Sequence, residues 1–161
     1  MKKLSLPTIV AVPLAILLVG TTLAAAASAR SPLPFKGSIE ALETCQVNGP
    51  TMSVTASGSG EATHLGRYTV TYEVQVDLPT GTGSGLSAHY VAANGDSLFA
   101  EGSGQATPTD DPSIFNVVET YTITGGTGRF EGATGSFTEE RQVNIETGVT
   151  AGTISGNIVI P

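Results

Sequence analysis

The chain of 161 residues has no tryptophan, two methionines, two histidines and one cysteine. With a single cysteine, Cys45, no disulfide can form within the chain in any compartment. A free cysteine of this kind is expected to be buried as a small hydrophobe. His64 and His89 stand twenty-five residues apart with no ligand pattern between them, which leaves no motif for a metal centre and no cofactor site. No Gly-x-Ser-x-Gly elbow is present, and Gly58-Ser59-Gly60 and Gly102-Ser103-Gly104 have the wrong spacing for one. Basic residues are also scarce. After Ala29 only Arg30, Lys36, Arg67, Arg129 and Arg141 remain against all fourteen acidic residues, a net charge of −9. That balance argues against nucleic acid and against anionic membrane surfaces, both of which call for clustered Lys and Arg.

Residues 1–29 read as a secretory signal peptide. Lys2 and Lys3 precede an apolar run from Leu6 to Leu23, and Ala27-Ser28-Ala29 offers the small-x-small pattern that is cut before Arg30. The alternative is an uncleaved anchor; cleavage leaves no stable membrane anchor and sends the mature chain out of the cytoplasm. Residues 30–36, with Pro32 and Pro34, are expected to form an extended surface leader. Residues 37–161 suffice for one domain.

Within that domain the dominant signal is a period of two. Tyr68, Val70, Tyr72, Val74 and Val76 share one face, and Thr69, Thr71, Glu73, Gln75 and Asp77 share the other, which a helix cannot arrange. Similar runs occur at 37–47, 51–63, 86–92, 98–107, 117–124, about 137–145 and 154–160. Turn signals such as Asn48-Gly49-Pro50 and Asn94-Gly95-Asp96 separate them. Gly102-Ser103-Gly104-Gln105-Ala106-Thr107 echoes Gly58-Ser59-Gly60-Glu61-Ala62-Thr63, as expected of glycine-interrupted strands in equivalent places. About eight strands and no helical period predict an all-β domain, an antiparallel barrel or sandwich.

The chain is organised around Tyr121 to Thr138, where two β-rich runs flank a glycine-dense corner. Gly125-Gly126-Thr127-Gly128-Arg129-Phe130, followed by Gly132, Ala133 and Gly135, resembles the Gly-Gly-Thr-Gly-(Arg/Lys)-Phe-x-x-Ala-x-Gly turn of the allene oxide cyclase and dirigent barrel superfamily, including its secreted bacterial branch. Ala62 to Arg67 and Ala93 to Leu98 are similar to further pieces of that branch. The resemblance implies a single antiparallel eight-stranded up-and-down barrel in which Gly125, Gly126, Gly128, Phe130, Gly132 and Gly135 are structural. It also implies a homo-oligomer built through the outer face, and acidic groups in a cavity that steer a reactive lipid or phenolic intermediate. It assigns no catalytic residue in this chain.

Candidate site residues come instead from breaks in the alternation. Glu43 lies between Ala41 and Cys45, Glu119 between Val117 and Tyr121, and Glu139 with Arg141 between Phe137 and Val143, so all four read as facing the barrel interior. Buried carboxylates need partners, and Arg141 is the one inward-reading base. Tyr72 and Tyr121 would line the ligand space beside them. The competing reading puts these residues near strand ends, where a bulge turns them to water. His64, at the entry to a strand, is expected to hydrogen-bond backbone at a turn, and Arg129 to pair with a carboxylate at the surface. Two functions follow: an exported barrel that holds a small apolar ligand without catalysis, or a cyclase-like or dirigent-like enzyme.

Overall fold

The computed structural model describes residues 30–161; the expected signal peptide, with Ala27 and Ala29 at its cleavage site, lies outside the described residues. Eight strands follow one another: β1 (Leu33–Asn48), β2 (Thr51–Ala62), β3 (Gly66–Asp77), β4 (Thr82–Ala92), β5 (Ser97–Pro108), β6 (Ile114–Gly126), β7 (Thr134–Asn144) and β8 (Val149–Val159). Each pairs antiparallel with the next, and β1 closes on β8 from Leu33 to Leu42, giving a closed barrel. Among the described residues the one helical element is a 3-10 turn, Gly128–Phe130.

Alternation decides which side chains enter the barrel. In β3, Tyr68, Val70, Tyr72 and Val74 are buried while Thr69, Thr71 and Glu73 are exposed. The register carries the same parity from strand to strand: Glu43 opposes Ala56, Ala56 opposes Tyr72, and Tyr72 opposes Ala88. Glycines make room among these interior positions. At Gly60 a Cβ would strike the Ser38 carbonyl and the Tyr68 hydroxyl, and that hydroxyl donates a 2.8 Å hydrogen bond to the Ser38 carbonyl. Large aromatics then fill the inner half. Phe137 meets Phe35 edge-on at 5.2 Å and stacks on Tyr121 at 4.7 Å.

The two ends of the barrel differ. At one, the connections fold inward: Leu65 of the β2–β3 turn, and Phe130 and Ala133 of the β6–β7 connection, are all buried. Arg129 fastens this plug. Its Nη2 donates to the Leu65 carbonyl at 3.1 Å, its Nε lies 3.6 Å from Asp96, and its guanidinium sits 4.9 Å over the Phe130 ring, so it does pair with a carboxylate. Gly125, Gly128, Gly132 and Gly135 all adopt positive φ in this corner. Gly128, at φ 57°, has the Asp96 carboxylate where a side chain would begin. At Gly126 a Cβ would strike the Ser97 carbonyl and Phe130.

The opposite end is open, and the reason is strand length. Pairing of β1 with β8 stops at Leu42–Val149, while β1 continues to Asn48 against β2 alone. Cys45 and Val47 extend past the closed wall and are exposed, which corrects the expectation of a buried cysteine. The leader is also corrected. β1 begins at Leu33, Pro34 opposes Asn157, and Phe35 is fully buried, so only residues 30–32 precede the barrel. The alternation visible from residue 37 already continues back to Phe35.

Candidate functional site

β1, β6 and β7 bring Glu43, Glu119, Glu139 and Arg141 together inside the barrel. They lie between the aromatic layer and the open end. No bulge turns them outward: β6 and β7 pair without interruption from Ile114–Asn144 to Ile123–Gly135. The Arg141 guanidinium organises the cluster. Nε and Nη2 donate to the two oxygens of Glu119 at 3.1 and 3.0 Å, a bidentate pair. Nη1 donates to Glu43 Oε1 at 2.5 Å and to Thr150 Oγ1 at 3.0 Å. The guanidinium also sits 5.3 Å over the Tyr72 ring. Burial is the largest influence and opposes its charge, but Glu119 with its hydrogen bonds, Tyr72 and Glu43 together outweigh it and hold the arginine protonated.

Glu139 is held differently. Its side chain is fully buried, and Oε1 lies 3.4 Å from Arg141 Nε, within ion-pair range. That N–H already points at Glu119, and neither Glu139 oxygen takes a hydrogen bond among the described residues. Burial, and after it the charge of Glu119, push its pKa from 4.5 up to about 8 against the pull of Arg141. At neutral pH this group is therefore mainly a neutral acid. The Tyr90 hydroxyl, also fully buried, likewise has no hydrogen-bond partner among the described residues.

The two predicted ligand-lining tyrosines are placed unequally. Tyr72 donates to Glu43 Oε1 at 2.7 Å, and burial is the main cause of its raised pKa. Tyr121 lies deeper, with no exposed surface, stacked on Phe137 and donating to Glu119 Oε2 at 3.2 Å. It supports the cluster from below and does not line an accessible space.

Toward the open end the interior turns apolar. Val54, Val74, Val117 and Val143 form the next layer, and half-buried Met52, Val76 and Phe115 lie around the mouth beside exposed Val47. A closed base, a charged floor and an apolar rim thus succeed one another along the axis.

Sequence reasoning did not name Thr150, whose hydroxyl accepts from Arg141 and donates to the Gln142 carbonyl at 2.8 Å. The signal was the two-residue spacing back from Ile154 and Ile158 through Gly152. Tyr90, Tyr68 and Phe35 were also unmarked. His64 does not act as predicted. It is exposed in the β2–β3 turn at φ 69°, and its side chain makes no backbone hydrogen bond among the described residues. His89 lies half-buried on β4 beside Phe99, with Nε2 2.9 Å from Ser97 Oγ, far from His64 in the chain. Set against family models, curated proteins and solved structures, the chain matches none of them.

Proposed function

We propose that the mature protein is exported and binds a small, largely apolar molecule at the open end of its barrel. The observation that carries this reading is the layering at that end, an apolar rim over a buried charged floor in a barrel plugged at its other end. A fold held by packing alone gains nothing from burying three acids and a base, since such clusters seldom outperform apolar packing. Their position beneath a rim where the inward-facing Cys45 and Val47 are exposed fits a polar anchor for a ligand whose hydrocarbon meets Val47, Met52 and Val76. Export is supported by Lys2, Lys3 and the apolar run that follows.

A second reading, a cyclase-like or dirigent-like enzyme, is favoured by one feature. Glu139 keeps its proton near neutral pH, as a general acid toward a reactive lipid or phenolic intermediate would. The resemblance at Gly125 to Gly135 points the same way by analogy, although a shared fold hosts unrelated activities.

Native mass spectrometry of the protein recovered from culture medium tests both. The expected result is a mature N-terminus at Arg30 and a small-molecule adduct lost on collisional activation. A chain that begins at Met1 would end the export reading, and bare protein at every collision energy would end the ligand reading. Turnover abolished by Glu139→Gln would favour the enzyme over the passive binder. The same spectrum shows whether copies associate through the outer face, where Leu42 and Val149 form an exposed apolar pair.

A further inference from the structure

Charge at the open end is unevenly balanced. Three carboxyl groups, on Glu43, Glu119 and Glu139, meet one guanidinium. Arg141 gives two N–H donors to Glu119, one to Glu43 and one to Thr150, so four of its five are committed inside the barrel. A ligand carboxylate or phosphate arriving there meets a cation already paired twice. It would also have to displace a bidentate partner. Even with Glu139 protonated, the carboxylates of Glu43 and Glu119 outweigh Arg141 by one negative charge. Glu139, fully buried with both oxygens unbonded, adds acceptor capacity to the same cluster and no donor beyond its own proton.

Among the acids, Glu43 stands nearest the mouth, its side chain 7% exposed against 3% and 0% for Glu119 and Glu139. The hydrogen bonds from Tyr72 and Arg141 both end on Oε1, and Oε2 has no partner among the described residues. Two register steps further toward the rim on the same pair of strands, past Cys45 and Val54, are Val47 and Met52. The mature chain as a whole carries the same sign, with fourteen acids to five bases.

On the reading that the open end binds a ligand, we propose that it selects an apolar molecule carrying a hydrogen-bond-donating cation, an alkyl- or arylammonium, whose N–H groups rest on Glu43 Oε2. An apolar carboxylate is rejected, because its charge would sit beside Glu43 with no free guanidinium to receive it. An apolar alcohol is intermediate: it can donate to Glu43 but gains no ion pair.

Isothermal titration calorimetry of the mature protein with decylamine, decanol and decanoate, each below its micelle concentration, tests this ranking. The expected order is amine, alcohol, carboxylate, with the amine about tenfold or more tighter than the alcohol. Glu43→Gln keeps an acceptor for Tyr72 and Arg141, and in that variant the amine falls to the alcohol's affinity. Far-UV circular dichroism confirms its fold, and the wild-type order stands independently of it. An alcohol as tight as the amine, or a carboxylate tighter than both, overturns the proposal while leaving the ligand reading standing. A preference for the amine that survives Glu43→Gln assigns it to the acidic surface at large and also overturns it. Absence of binding by all three removes the ligand reading itself, and this proposal with it.

Discussion

Arg141 illustrates how one side chain can decide the state of several others. Its removal would leave Glu43, Glu119 and Glu139 buried without a cation, a loss that in comparable pairs costs about 3–5 kcal/mol. Glu139 is informative because it is the acid left out of the hydrogen bonding. The groups around it are Glu119 on β6, Arg141 on β7, Glu43 on β1, and the phenols of Tyr68, Tyr90 and Tyr121. An unfolded chain would release the Glu139 proton near 4.5, the folded one near 8. Between those values the native state holds a proton that the unfolded state has lost, so this group's contribution to stability falls as pH rises. The steepest slope is about 1.4 kcal/mol per pH unit. Glu139→Gln removes that dependence. The variant is expected to match wild type near pH 4 and to exceed it at pH 9 by on the order of 3–5 kcal/mol, read from denaturant unfolding at each pH. Equal stabilities across the range would show that Glu139 is not held as an acid. The four charged residues were legible because each interrupts an apolar face. Thr150 was not, since a threonine among Thr and Gly in β8 interrupts nothing.

At the scale of elements, the β6–β7 corner does more than reverse the chain. Its glycines take conformations that other residues resist, and the tight path they permit delivers Phe130 into the base of the barrel. Phe130→Ala should therefore cost about 3–5 kcal/mol of stability, measured by urea denaturation, with far-UV circular dichroism still reporting β structure. A cost below 1 kcal/mol would mean that the base is held by the strands alone. Local pattern made β3 legible almost to the residue, because its alternation is unbroken and both faces differ sharply in polarity. β1 was less so. Pro32 and Pro34 suggested a leader, but Pro34 opposes Asn157 on the last strand, a partnership more than a hundred residues away that no local window contains. The exposure of Cys45 escaped for a related reason: it depends on β8 ending before β1 does.

Across the whole molecule, closure through β1 and β8 links the longest-range pairing to the site. β8 gives hydrogen bonds to both β1 and β7, places Thr150 against Arg141, and buries Ile154 and Ile158. Its loss would free two edges at once and remove a wall of the charged cluster. Open edges of this length template intermolecular pairing, most of all in a protein with no disulfide to restrain its ends. A chain ending at Gly148 is accordingly expected to lose its native tyrosine near-UV circular dichroism and to elute as aggregate on size exclusion. A soluble monomer with wild-type near-UV signal would show that seven strands suffice. In that case the Arg141 cluster would owe its geometry to β1, β6 and β7 alone. The distinction bears on function because the mouth is defined where β1 outlasts β8. If closure sets the cluster, then the position of the last β1–β8 pair, Leu42 with Val149, fixes how far Glu43 stands from solvent. It thereby also fixes how far the unbonded Oε2 of Glu43 is open to that end.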